Sequence, residues 1–201
     1  MKGCRPLTDN EVNITGQSFG GTFGKRNKAL FILGVRSGFR ISELLSLTVG
    51  DVQQHGKIVD HVTVARRHMK KKTEGRTVPL HPEARAALSV LLEALTKMLK
   101  GKLGPQTPVF CSRVRDTATG LHRDISREQA WRILKEAFSS DELTGTLGTH
   151  AMRKTFARRM YERLVRDQVK VQHAMGHKNI NSTVAYLSFA EVDVLNAILA
   201  A

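Results

Sequence analysis

The chain has 201 residues, with 32 Lys plus Arg against 18 Asp plus Glu, and a net charge of +14. Its 41% of hydrophobic residues exclude a disordered basic tail, and two cysteines, Cys4 and Cys111, exclude a disulfide framework or a zinc ribbon. No apolar run approaches the roughly 18 residues of a membrane span, so a folded chain this basic points to a polyanion, with a merely solvated basic surface as the plainer alternative.

The first element opens at Thr8-Asp9-Asn10-Glu11, a capping box with Glu11 three residues after Thr8. Gly20, Gly21 and Gly24 interrupt it. The run Lys28 to Val35 reads as a buried helix, broken by Ser37-Gly38 and followed by a short helix through Ile41, Leu44, Leu45 and Leu47. Ile58, Val62 and Val64, then Arg76-Thr77-Val78-Pro79-Leu80, predict an antiparallel hairpin. Pro82 opens a strong helix whose stripe runs from Ala84 to Leu99 and stops at Gly101. Residues 101–108 read as a linker and Val109-Phe110 as a short strand. Ser126 to Gln129 forms another capping box, Thr149 caps a helix to about Leu164, and Asp167 caps one that Gly176 stops. A last helix starts near Ser188. The predicted fold class is mainly α with a small antiparallel β-sheet (α+β).

Four clusters carry chemistry. Arg40 sits at a break before a helix, with Glu43 one turn on to hold its guanidinium; taken alone this equals a surface ion pair. His150 and Arg153 share one helix face, a pairing able to grip a phosphate and move a proton. His177 emerges from the turn at Gly176, which equally suits a plain helix end. Tyr186 follows nine residues later, where a lone tyrosine is usually core.

In order, Gly38-x-Arg40-x-Ser42-Glu43-Leu44, Thr149-His150-x-x-Arg153-x-Thr155-Phe156-Ala157 and Met175-Gly176-His177, with Tyr186, resemble the tyrosine recombinase (phage integrase) family. The resemblance runs from about Leu7 to the C-terminus. It implies a tyrosine that attacks a DNA phosphodiester and forms a 3′-phosphotyrosyl link, without a metal, ATP or any other cofactor. Tyr186 matches that nucleophile. Arg40 and Arg153 match the pair on the non-bridging oxygens, His150 the group that helps deprotonate the tyrosine, and His177 a hydrogen-bond donor to the phosphate. The family's general acid is a hairpin lysine. Lys72 is the match, in Lys72-Thr73-Glu74-Gly75-Arg76-x-Val78-Pro79, with Lys70 its rival. Glu43 and Asp51 match supporting positions.

The resemblance further implies duplex DNA as partner, a homotetramer on DNA with its C-terminal helix docked in trans, accessory DNA-bending proteins, no membrane, and a cytoplasmic, nucleoid-associated setting. It predicts one catalytic domain over residues 1–201, with a core of about 7–187 and an exchange helix over 188–201. Arg40 lies only 39 residues from the start, leaving no room for the family's usual N-terminal DNA-clamping domain. Either the chain acts as a catalytic domain alone, as short fimbrial-switch invertases do, or that domain lies on a removed segment. The rivals are a type IB topoisomerase, with the same chemistry, and a non-catalytic DNA-binding module.

Overall fold

The computed structural model describes residues 4–64, 76–118, 120, 122–187 and 198–199. The chain divides into two compact units, 1–156 and 157–201, and the division falls within one helix.

The first unit is built around α2 (Gly24–Ser37). Ala29 to Leu33 are at most 2% exposed, so this helix is covered on all sides, as its unbroken apolar run requires. Its neighbours are α1 (Asp9–Ser18), α3 (Ile41–Leu45) and α5 (Pro82–Met98). The α5 stripe of Ala84, Leu88, Leu91, Leu92 and Leu95 is buried. Each such leucine contributes about 2 kcal/mol of transfer free energy. Phe31 of α2 joins Phe19 at 5.7 Å and Phe138 of α6 (Arg127–Ser140) at 6.4 Å between ring centres.

Local rules set the helix ends. Thr8 and Glu11 form their reciprocal capping box, and Thr48 and Asp51 form another around α4 (Val49–Val52). The side chain of His81 accepts from the Glu83 amide and caps α5, with Pro82 inside the first turn. Ser126 accepts from the Gln129 amide at the start of α6.

Among the described residues the strand content is spread over three two-stranded antiparallel ladders. These are β1 (Gln53–Gln54) with β2 (Lys57–Ile58), β3 (His61–Val64) with β4 (Arg76–Pro79), and β5 (Cys111–Arg115) with β6 (His122–Asp124). The predicted hairpin is the second, in the register Val62 opposite Val78 and Val64 opposite Arg76. Ile58 belongs to a separate ladder, because His55 and Gly56, both at positive φ, turn the chain early. The predicted strand at Val109-Phe110 begins two residues later, at Cys111. The stretch read as a linker is instead tied down: the Val49 and Gly50 amides donate to Thr107 and Pro105 carbonyls.

A strap formed by the first described residues leads to α7 (Thr149–Arg163). Arg5 pairs with Glu11 and donates to the Thr144 carbonyl, while the Leu7 amide donates to Thr155 Oγ1 at 2.8 Å. Thr149 is the first residue of α7, not its cap; the Ala151 amide is taken by the Gly148 carbonyl.

The second unit contains the end of α7, then α8 (Gln168–Met175) and α9 (Ile180–Tyr186). Asp167 caps α8 through the Val169 and Lys170 amides, and Gly176, at φ +60°, stops it. Helix α9 was not expected from the sequence; Asn179 caps it and Tyr186 is its last residue. The helix predicted from Ser188 falls on 188–197, outside the described residues. Among the described residues no helix is long and apolar enough to cross a membrane.

Candidate active site

In the first unit, the chain break after α2 sets the geometry. Gly38 adopts φ +62°, and a Cβ there would lie 2.3 Å from the Phe156 ring. Only glycine fits both the left-handed turn and that contact. The turn delivers Arg40 to the N-cap of α3, where Glu43 accepts from the Arg40 amide at 2.8 Å and from Nη1 at 2.9 Å. Glu43 is 1% exposed, and this fork pairs both oxygens of its buried side chain. The Arg40 side chain keeps 39% of its surface open and can reach a ligand.

Two more guanidiniums converge on the same turn. Arg153, 1% exposed, donates through Nη1 to the Gly38 carbonyl. Arg76, the first residue of β4, donates to the Ser37 carbonyl at 3.1 Å and the Gly38 carbonyl at 3.4 Å, and stacks over Phe39. Burial lowers the Arg76 pKa to about 10, helped by the positive charges of Arg153 and Arg40 and opposed by Glu43. His150 stands one turn before Arg153 and is exposed. Partial desolvation pushes its pKa below the ordinary value, and Arg153, Arg40, Arg127 and Lys154 push it further down. Both effects favour the neutral form of the imidazole.

In the second unit, the turn at Gly176 exposes one side of His177 to α9. His177 Nδ1 lies 2.9 Å from Thr183 Oγ1, and the imidazole ring sits 5.3 Å from the Tyr186 ring, tilted by 47°. Thr183 is fully buried and His177 is 8% exposed, so this hydrogen bond is little diluted by solvent. Gln172 Nε2 donates to the carbonyls of His177 and Lys178 and fixes the turn from the α8 side. Tyr186 itself is half-buried.

The structure thus gathers Arg40, Arg153 and His150 in one unit, and His177 with Tyr186 in the other. Lys72 and its rival Lys70 lie outside the described residues. Sequence reasoning put His150 and Arg153 on one face but missed that one is exposed and the other buried. It also missed Thr183, Gln172 and Arg76. For Arg76 a signal existed, since it stands in the Arg-x-Val-Pro stretch that closes the hairpin.

The model of the phage integrase family matches residues 7–191. The chain belongs to that family. Membership makes it a tyrosine-type DNA strand transferase. The integrase-family chain is 32% identical over 167 residues to a probable integrase/recombinase, YoeC, of Bacillus subtilis, covering 83% of this chain and 80% of that protein. It is 31% identical over 170 residues to tyrosine recombinase XerD of Neisseria meningitidis serogroup A, covering 84% of this chain and 52% of that one. It therefore spans about half the length of XerD. Two solved structures share the fold, each with a TM-score of 0.71 over 96% of the chain: XerA recombinase, at 18% identity and 63% of its own chain, and XerH bound to a palindromic DNA substrate after cleavage, at 20% identity and 52% of its own chain.

Proposed function

We propose that the chain is a site-specific recombinase that cuts and rejoins duplex DNA through a 3′-phosphotyrosyl intermediate on Tyr186, without metal or ATP, for integration, excision or inversion. The observation that carries this reading is the pairing of Tyr186 with a histidine ring fixed by a buried hydroxyl. A solitary core tyrosine has no need of such a neighbour.

In the proposed step Tyr186 Oη attacks the scissile phosphorus and its proton passes to the neutral His150. The bond from phosphorus to the 5′-oxygen breaks, and that oxygen takes a proton from Lys72. Arg40 and Arg153 hold the non-bridging oxygens, with His177 as a further donor. Attack by a 5′-hydroxyl on the phosphotyrosine reverses the step and reseals the strand.

The test uses duplexes nicked beside a randomised region, so that cleavage releases a short fragment and traps the protein. A covalent adduct with a 3′-linked strand, absent in Tyr186→Phe, is expected. No adduct on any member of the pool overturns the proposal. Lys72→Ala should fail on ordinary DNA and recover on a 5′-thio leaving group; equal loss on both assigns the proton to another group, Lys70 first.

The same reading extends to a homotetramer on DNA, in which residues 188–201 dock in trans, aided by DNA-bending proteins, in the cytoplasm on the nucleoid. The sequence spacing of the apolar residues Val192, Leu195, Ile198 and Leu199 supports helix-in-groove docking. Deleting 190–201 should abolish cooperative binding, and intact cooperativity counts against trans docking. The +14 charge supports a backbone-led grip. Affinity should fall by about 10³ or more between 50 and 200 mM salt if six or more phosphates are held.

A further inference from the structure

Arg76 is a buried cation with no part in the chemistry proposed so far. It is 8% exposed, packed against the Ser37–Gly38 carbonyls, and is the first residue of β4. Its guanidinium donates to two successive carbonyls of the turn, one of which also accepts from Arg153. Two residues on, the same turn places Arg40.

Three guanidiniums thus share one turn, with Glu43 set against them. Like charges brought together in a poorly solvated place repel, and the repulsion is relieved when an anion arrives. Arg76 carries this effect: burial first, and then the charges of Arg153 and Arg40, weaken its hold on its proton. A structural arginine in a core needs only carbonyls. One that is buried beside two other cations raises the positive potential around the turn.

Resting on the reading of Arg40 and Arg153 as phosphate ligands, we propose that Arg76 is the third cation of the phosphate grip, a positioning residue that acts from behind the turn. It holds the Ser37–Gly38 carbonyls in place and adds its charge to the field that Arg40 and Arg153 present to the scissile phosphate. The charge is worth more there than on the surface because little water screens it.

Two variants separate charge from shape. Arg76→Gln keeps an N–H donor for the carbonyls and removes the charge. Arg76→Lys keeps the charge and removes the planar fork. Both are assayed on a substrate captured from the randomised pool, carrying either an ordinary scissile phosphate or a methylphosphonate, in which one non-bridging oxygen is replaced by an uncharged methyl. On the ordinary phosphate, Arg76→Gln should slow adduct formation by about 100-fold, the scale set by losing one preorganised donor of charge stabilisation. Arg76→Lys should lose far less. On the methylphosphonate the two variants should draw level, because the charge they answer is gone. Any unfolded fraction cancels, since both substrates are read on one preparation. Equal losses for Gln and Lys on both substrates overturn the proposal and leave the recombinase reading standing. If the unaltered chain forms no adduct, that reading fails and this inference with it.

Discussion

The two units solve different problems with different materials. The first holds part of its charge inside a core: Arg153 and Glu43 are each 1% exposed, and the turn they share is pinned by guanidiniums that donate to its carbonyls and packed by the Phe156 ring. The second carries Tyr186 half-buried at the end of a helix of seven residues, and fixes its neighbour His177 through one hydroxyl. Stabilising developing charge demands dipoles and cations that do not reorganise, which burial provides. A nucleophile, the role proposed for Tyr186, must meet a substrate, and a short element with an open face suits that role.

The comparison is broken most forcefully at Gly38. Gly38→Ala forces a Cβ to within 2.3 Å of the Phe156 ring and an alanine into φ +62°. Urea denaturation should show a loss of about 3 kcal/mol, combining overpacking with left-handed strain. Arg40 and Arg153 both depend on that turn, so adduct formation should fall beyond what the unfolded fraction explains. A variant as stable as the parent would mean that the turn is not rigid.

In the second unit the matching change is Thr183→Val, which keeps the shape and deletes the hydroxyl at His177 Nδ1. Adduct formation should drop about tenfold, the equivalent of one good hydrogen bond. Stability should change by no more than about 1 kcal/mol. A large stability loss with an unchanged rate per folded molecule would make Thr183 a packing residue only.

What could be read in the sequence follows the same division. The first unit was legible because its signals are long or local. The apolar run of α2, the caps at Thr8 and Ser126, and the alternation of Val62, Val64 and Val78 each specify one structure. Helix α9 was not legible. Its seven residues include polar and β-branched types, and so short a helix owes its existence to packing rather than to propensity. The candidate site residues follow from their order along the chain, and spacing gives the face of α7 shared by His150 and Arg153. Spacing does not give depth, so the burial of Arg153 and the approach of Arg76 required the fold.

A smaller effect tests how tightly the second unit is built. Val165 and Arg166, between α7 and α8, have φ of +53° and +61°, and Val165 is 91% exposed. A β-branched residue in the left-handed region is strained and here has no burial to offset it. Val165→Gly should raise stability by about 0.5–1 kcal/mol, the relief of strain less the added freedom of the unfolded chain. A loss of stability would show that the Val165 side chain contributes packing that its exposure hides.

The smallest expected effect is on the pH profile, and it belongs to the first unit. In the proposed step His150 accepts a proton, which requires its neutral form. Its pKa lies below the ordinary value, through partial desolvation and then the charges of Arg153, Arg40, Arg127 and Lys154. The acid limb of the cleavage rate should therefore fall below the pH at which an ordinary histidine titrates. Replacing Arg127 and Lys154 by glutamine removes two cations that disfavour the imidazolium. The His150 pKa then rises, and the acid limb moves to higher pH while the plateau keeps its pH independence. Added salt should move the limb of the unaltered chain the same way, because it screens the same charges. A limb that stays in place in both experiments assigns the titrating base to another group, and the buried cation cluster would then serve the phosphate alone.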